Sequence, residues 1–192
     1  MHIYLIRHPR PDIAAGICYG QSDIAADASH CSEVVLELAA KLPPHVRIVS
    51  SPLRRCAVLA HALAAVVQSS APLLDAWLME MNFGTWELCR WDDIARADID
   101  AWAADTVHYR AGGGESLLQV AARVVDFLKG LQSQPDAAIA LVCHAGPIRL
   151  MRLYQHGMLP VELAAAAAAG LAAGTLDIRC GECVELDLPA AG

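Results

Sequence analysis

The stretch His2-Ile-Tyr-Leu-Ile-Arg7-His8-Pro9 decides how this chain folds. Its apolar and β-branched run, stopped by Pro9 and Pro11, has the profile of a buried strand that ends in a loop, so Arg7 and His8 stand at a strand end. The pattern returns far along the chain. Ala138-Ile-Ala-Leu-Val-Cys143 is wholly apolar, His144 ends it, and Ala145-Gly146-Pro147 opens a helix that carries Arg149 and Arg152.

Between these strands the apolar periodicity alternates. Val34, Val35, Leu38 and Leu42 recur at helical spacing, which predicts a helix over 29–42 that Pro43-Pro44 ends. A strand, Val46-Arg-Ile-Val49, follows. Ser51 is then expected to cap a helix running from Leu53 to Val67, with Pro52 at its first position and Arg54 and Arg55 in its first turns. The aromatic stretch 76–91 reads as an irregular pocket wall. Leu117, Val120, Val124, Phe127, Leu128 and Leu131 predict a helix over 115–131 that covers the sheet. Residues 175–179 and 183–188 alternate about Gly181 and read as a terminal antiparallel hairpin. The alanine-rich segment 163–173 is assigned no role. With 192 residues, no repeat and no linker, one domain spanning 1–192 is expected.

Composition narrows the function classes. Fourteen basic residues against twenty-one acidic ones give a net charge of −7, and no run of Lys or Arg offers a strip for a nucleic-acid backbone. Seven scattered cysteines, at 18, 31, 56, 89, 143, 180 and 183, read as reduced packing residues of a cytoplasmic protein. The Cys180-Gly-Glu-Cys183 pair reads as a turn, since a second ligand pair for a metal is missing. Neither a signal peptide nor a membrane span is expected.

In an open α/β sheet, ligands bind outside the carboxyl ends of the strands, so Arg7-His8, Ser51 to Arg55 and His144 converge. Two histidines are too few for a stable zinc site, and no carboxylate cluster offers itself to Mg²⁺, so no metal and no cofactor are expected. Phosphoryl transfer needs a nucleophile, cations around the equatorial oxygens, and an acid for the leaving oxygen. Neutral imidazole can be that nucleophile.

Four stretches carry a family resemblance: Leu5-Ile-Arg7-His8; Ser51-Pro-Leu-Arg54-Arg55; Leu78-Met-Glu80-Met-Asn-Phe-Gly-Thr-Trp86-Glu87; and Cys143-His144-Ala145-Gly-Pro-Ile-Arg149. In this order they resemble the histidine phosphatase superfamily, the phosphoglycerate mutase-like proteins, from residue 3 to about residue 155. The resemblance implies an α/β fold of three α/β/α layers, with a mostly parallel central sheet and helices on both faces. It implies that His8 is the phosphorylated nucleophile, that Arg7, Arg55 and His144 bind the phosphoryl oxygens, and that Glu80 is the proton donor. Arg55 rather than Arg54 fits the family's Ser-x-Leu-x-Arg pattern.

Several positions depart from that pattern. Pro9 and Ala145 replace glycines, Pro11 and Ala14 stand where Thr and Asn are common, and Leu88 replaces a Gly. Loss of the Asn removes a phosphate donor, and Arg10 is expected to compensate. The stretches Arg10 to Asp23 and Tyr109 to Ser116 look most like the α-ribazole-5′-phosphate phosphatase branch, which places Tyr19, Gly20 and Ala145 against the substrate. A broad-specificity small-molecule phosphatase and a non-catalytic phosphate-ester-binding protein are the alternatives. The expected partner is a small-molecule phosphate monoester, not nucleic acid or a membrane, with a homodimer left open. The histidines at 2, 30, 45, 61, 108 and 156 and the tryptophans at 77, 86, 91 and 102 are read as structural or surface residues.

Overall fold

The computed structural model describes residues 1–134, 136–155 and 157–188, so His156 lies outside the described residues. Five strands form one sheet in the order β3-β2-β4-β1-β5: β1 (His2–Arg7), β2 (Arg47–Ser50), β3 (Leu73–Leu74), β4 (Ala138–Cys143) and β5 (Cys183–Asp187). β1, β2, β3 and β4 run parallel, while β5 pairs antiparallel with β1 at one edge.

Both central strands are apolar on both faces because helices cover both. Ile6, Ala140, Val142 and Ile48 face one layer, made by α1 (Ala28–Ala39) and α2 (Arg54–Val66), which supplies Val34, Leu38, Leu59 and Leu63. Ile3, Leu5, Ile139 and Leu141 face the other, made by α4 (Leu117–Gln132), α5 (Ala145–Leu153) and α6 (Pro160–Ala172). The period-2 alternation thus sorts each strand between two cores, and each buried Leu or Ile contributes about 1.5–3 kcal/mol. The remaining helix, α3 (Arg96–Ala104), is largely exposed, although Ile99 and Trp102 pack on the second core. Among the described residues no helix is long and apolar enough to cross a membrane.

Four expectations need correction. The helix expected over 29–42 ends at Ala39 and starts at Ala28, because the Asp27 side chain accepts the His30 N–H at 2.8 Å and caps it. The helix expected from Leu53 begins at Arg54, with no side-chain cap, because the Ser51 hydroxyl is used elsewhere. The helix expected from Glu115 begins at Leu117, where Ser116 and Gln119 form a reciprocal capping box that leaves Glu115 free to pair with Arg123 at 3.1 Å.

The terminal hairpin does not form. Residues 175–179 are not a strand, and β5 takes β1 as its partner. The alternation at 175–179 arises because Leu176 and Ile178 are buried while the backbone serves arginines: the carbonyls of Leu176, Asp177 and Ile178 accept from Arg149, Arg152 and Arg7. The wall at 76–91 is, as expected, irregular, carrying three 3-10 helical turns.

Candidate active site

Sheet register assembles the site. Arg7 is paired with Cys143 across β1 and β4, so the next residues, His8 and His144, leave the sheet side by side, with ring centroids 5.1 Å apart. On the other side of β4, Ser50 pairs with Val142, which brings Ser51 level with the same place. The Ser51 hydroxyl lies 2.9 Å from His144 Nε2, and the Cys56 thiol lies 3.4 Å from that nitrogen. Ser51 therefore holds the His144 ring, and its oxygen reaches only the Leu53 N–H, at 3.4 Å, just before the first turn of α2.

His8 is almost wholly buried, and its Nδ1 lies 2.6 Å from the Pro9 carbonyl oxygen. A carbonyl can only accept, so Nδ1 carries the proton and Nε2 keeps its lone pair. Burial, then the Arg55 guanidinium, push the His8 pKa down to about 3, partly opposed by the Pro9 hydrogen bond. Burial, with His8 and Arg55 next in weight, also holds the His144 pKa well below the usual histidine value. Both rings are neutral near pH 7.

Arg55 is fully buried. Its Nη2 donates to the Gly20 carbonyl at 2.6 Å and its Nη1 to the Ser22 carbonyl at 2.8 Å, while its Nε has no partner. The guanidinium carbon also lies 5.1 Å from the centre of the Tyr19 ring. Among the described residues no carboxylate pairs with Arg55 or with Arg7, whose Nη1 donates to the Ile178 carbonyl at 2.6 Å and whose buried Nε is also unpartnered. Buried cations without a counter-charge are costly, and an anion placed between them offsets that cost. Arg54 points elsewhere, pairing with exposed Asp23 at 3.2 Å, which supports Arg55 as the family's arginine.

Glu80 reaches the site at the start of α5. One carboxylate oxygen accepts the Met81 N–H at 2.9 Å and the other the Gly146 N–H at 3.2 Å. A Cβ at Gly146 would run into this carboxylate, so only glycine permits the approach. Gly20 has φ of +34°, and a Cβ there would sit 2.8 Å from the Met81 carbonyl oxygen. Glu87, which the sequence analysis left unassigned, ties these segments together. Its carboxylate accepts from the Gln21 and Phe83 N–H groups at 2.9 and 3.0 Å and from the Ser22 hydroxyl at 2.6 Å.

His8, Arg7, Arg55, His144, Glu80, Tyr19, Gly20 and buried Ala145 thus gather at one end of the sheet. Arg10 does not join them: it is exposed, and its guanidinium lies 4.0 Å from Asp27 at the start of α1. Among the described residues no group of three or more His, Cys, Asp or Glu side chains is placed to hold a metal ion.

Comparison with known proteins bears on the same residues. A protein from Thermus thermophilus superposes with a TM-score of 0.69 and 26% identity, over 99% of this chain and 95% of its own. Mycobacterial glucosyl-3-phosphoglycerate phosphatase gives 0.67 and 26%, over 85% of this chain and 83% of its own. The α-ribazole phosphatase of Shigella flexneri gives 0.79 at 23% identity, over 98% and 91%. No protein of curated function matches the chain. A family model for the histidine phosphatase superfamily (branch 1) matches residues 3–179, a span that holds both histidines, the half-buried Arg7, the buried Arg55 and Glu80. With nearly the whole fold and its buried cation cluster inside that match, the chain belongs to the histidine phosphatase superfamily and is a phosphoric monoester hydrolase.

Proposed function

We propose that His8 carries the phosphoryl group during turnover and that the reaction proceeds without a metal. The observation that carries this reading is the neutral His8, with Nδ1–H held by the Pro9 carbonyl and Nε2 free beside unpaired Arg55 and Arg7. In the first half-reaction the Nε2 lone pair forms a bond to phosphorus while the bond from phosphorus to the alcohol oxygen breaks. Glu80, as a carboxylic acid, gives that oxygen its proton. In the second, the Glu80 carboxylate takes a proton from water, whose oxygen attacks phosphorus as the P–N bond breaks, releasing inorganic phosphate. Arg7, Arg55 and neutral His144 face the charge that spreads over the three equatorial oxygens.

For the substrate we assign α-ribazole 5′-phosphate, with Tyr19, Gly20 and Ala145 beside it. The support is the likeness of the stretches Arg10 to Asp23 and Tyr109 to Ser116 to that branch, and the fold shared with the Shigella flexneri enzyme. A broad-specificity phosphatase is the second reading, favoured by the similarity to a phosphatase named for a different ester. Seven free cysteines support a reducing, cytoplasmic setting.

The test is steady-state hydrolysis in EDTA of α-ribazole 5′-phosphate beside a nucleoside monophosphate and 3-phosphoglycerate, with trapping of phosphohistidine by an alkaline detergent quench, since its P–N bond is acid-labile. A lead of about 1,000-fold in kcat/KM for the ribazole ester, a gap of ~4 kcal/mol, is the expected result. A flat profile abolished by His8→Ala keeps the phosphohistidine and discards the ribazole assignment. Turnover that persists undiminished in His8→Ala overturns the mechanism.

A further inference from the structure

The groups described so far surround the phosphate and leave the alcohol half of the ester without a seat. Next to Glu80 the protein holds a cavity of about 190 Å³ whose wall is mostly carbon, from Met81, Phe83, Trp102, Leu150, Ala167 and Leu171. Glu80 and Gly146 also line it, so the carboxylate that protonates the leaving oxygen is part of the cavity's own wall. The cavity therefore adjoins the place where the leaving oxygen receives its proton.

Two of the wall's other polar side chains are already engaged, while the Trp102 indole N–H is buried without a partner. The Thr106 hydroxyl donates to the Trp102 carbonyl at 3.3 Å. The Arg149 Nε donates to the Leu176 carbonyl at 3.1 Å, and its Nη2 lies 3.5 Å from Asp177. An alcohol rich in hydroxyl or carboxylate groups would lose water here and find at most the one indole N–H as a new partner, which disfavours it, whereas a ring system with a single acceptor would not suffer that loss. The aromatic part of the wall is also braced. Trp102 stacks on Trp91 with an interplanar angle of 8° and meets Phe83 edge-on at 6.0 Å, so the wall is built before a ligand arrives.

We infer that this cavity seats an uncharged ring system carried by the leaving alcohol, so that the enzyme is selective for phosphate esters of ring-bearing alcohols over small polyols and sugar acids. The inference rests on the phosphomonoesterase reading of the site but not on the identity of the ester. A cavity of ~150 Å³ lined by Leu, Ile and Phe accepts a benzene ring, so 190 Å³ has room for one ring and part of a second. It also gives the alanine-rich helix a use. Along α6, Ala167 and Leu171 form the cavity's outer side, and small side chains there leave the volume open.

The experiment compares kcat/KM for 2-(1-naphthyl)ethyl phosphate, ethyl phosphate and glycerol 3-phosphate, whose alcohols have similar leaving ability. The naphthyl ester is expected to lead by about 100-fold, and Leu171→Glu, at the rim, to cut that lead about tenfold while the inhibition constant of vanadate stays the same. A ratio within threefold, or a ratio that Leu171→Glu leaves intact, overturns the inference. Calorimetric binding of the same esters to His8→Ala separates the two readings. A binding preference for the naphthyl ester with no wild-type turnover removes the phosphatase reading and keeps the cavity, and equal binding removes the cavity.

Discussion

At the phosphate end of the site, His8, Ser51 and His144 leave three neighbouring strands whose register is set by backbone hydrogen bonds, and Arg55 follows in the first turn of the next helix. Beside it, the cavity wall is gathered from an irregular segment at 80–83 and from the helices α3, α4, α5 and α6, none of which belongs to the sheet. The first region is polar, buried and rigidly indexed. The second is mostly apolar and rests mainly on side-chain packing, with Glu80, held by the Gly146 N–H, shared between the two. The contrast teaches that, Glu80 apart, the two regions are held by different forces, so most of each can be altered with limited effect on the other.

Three experiments press on that division. Arg55→Ala should lower kcat/KM by about 10²–10³-fold, and by nearly the same factor for every ester, because Arg55 faces the phosphoryl group and does not line the cavity. A loss that varies with the alcohol would show that the two regions act as one. Acid is the next lever, because two neutral buried histidines sit on the phosphate side only. Their pKa values are lowered in the folded state, so below about pH 6.5 the unfolded chain binds protons that the native one does not.

Stability from this source is fully present above pH 6.5 and is lost as the pH falls toward about 3 for His8. At pH 5 the loss amounts to about 2 kcal/mol for His8, and His144 adds to it in the same direction. Denaturant unfolding at pH 7 and pH 5 should show it, with a smaller change in His144→Asn; an unchanged pH dependence in that variant would count against a neutral buried His144. The smallest effect is expected from Arg10→Ala, which should leave KM for any ester within twofold, since Arg10 faces Asp27. A large rise in KM would return Arg10 to the phosphate side.

The two regions also differed in how far their residues could be read beforehand. His144 was legible because it ends an unbroken apolar run, His8 because it follows Arg7 at the end of another, and Arg55 because it lies in the first turn of a helix that follows a strand and fits the family's Ser-x-Leu-x-Arg pattern. Ser51 was misread because a serine before Pro52 has the local chemistry of a cap, whereas its true partner is set by a register that no neighbouring residue encodes. α6 could not be oriented in advance, since Leu163 and the alanines that follow offer no polar stripe to mark an outer face. α3 escaped notice because its packed residues, Ile99 and Trp102, are too few to set a period. The false hairpin shows the converse case, in which alternate burial at Leu176 and Ile178 imitates a ladder that is absent.

The pairing of β1 with β4 has a consequence for how the protein matures. One strand lies at the amino terminus, while its partner is made only after four helices and two other strands have been synthesised. Closing so long a loop is entropically slow, so contacts between them belong late in folding. A nascent or partly folded chain therefore has a lone His8, exposed to protons and without His144 beside it, and is silent. Recovery of activity during refolding becomes a clock for the closing of the sheet.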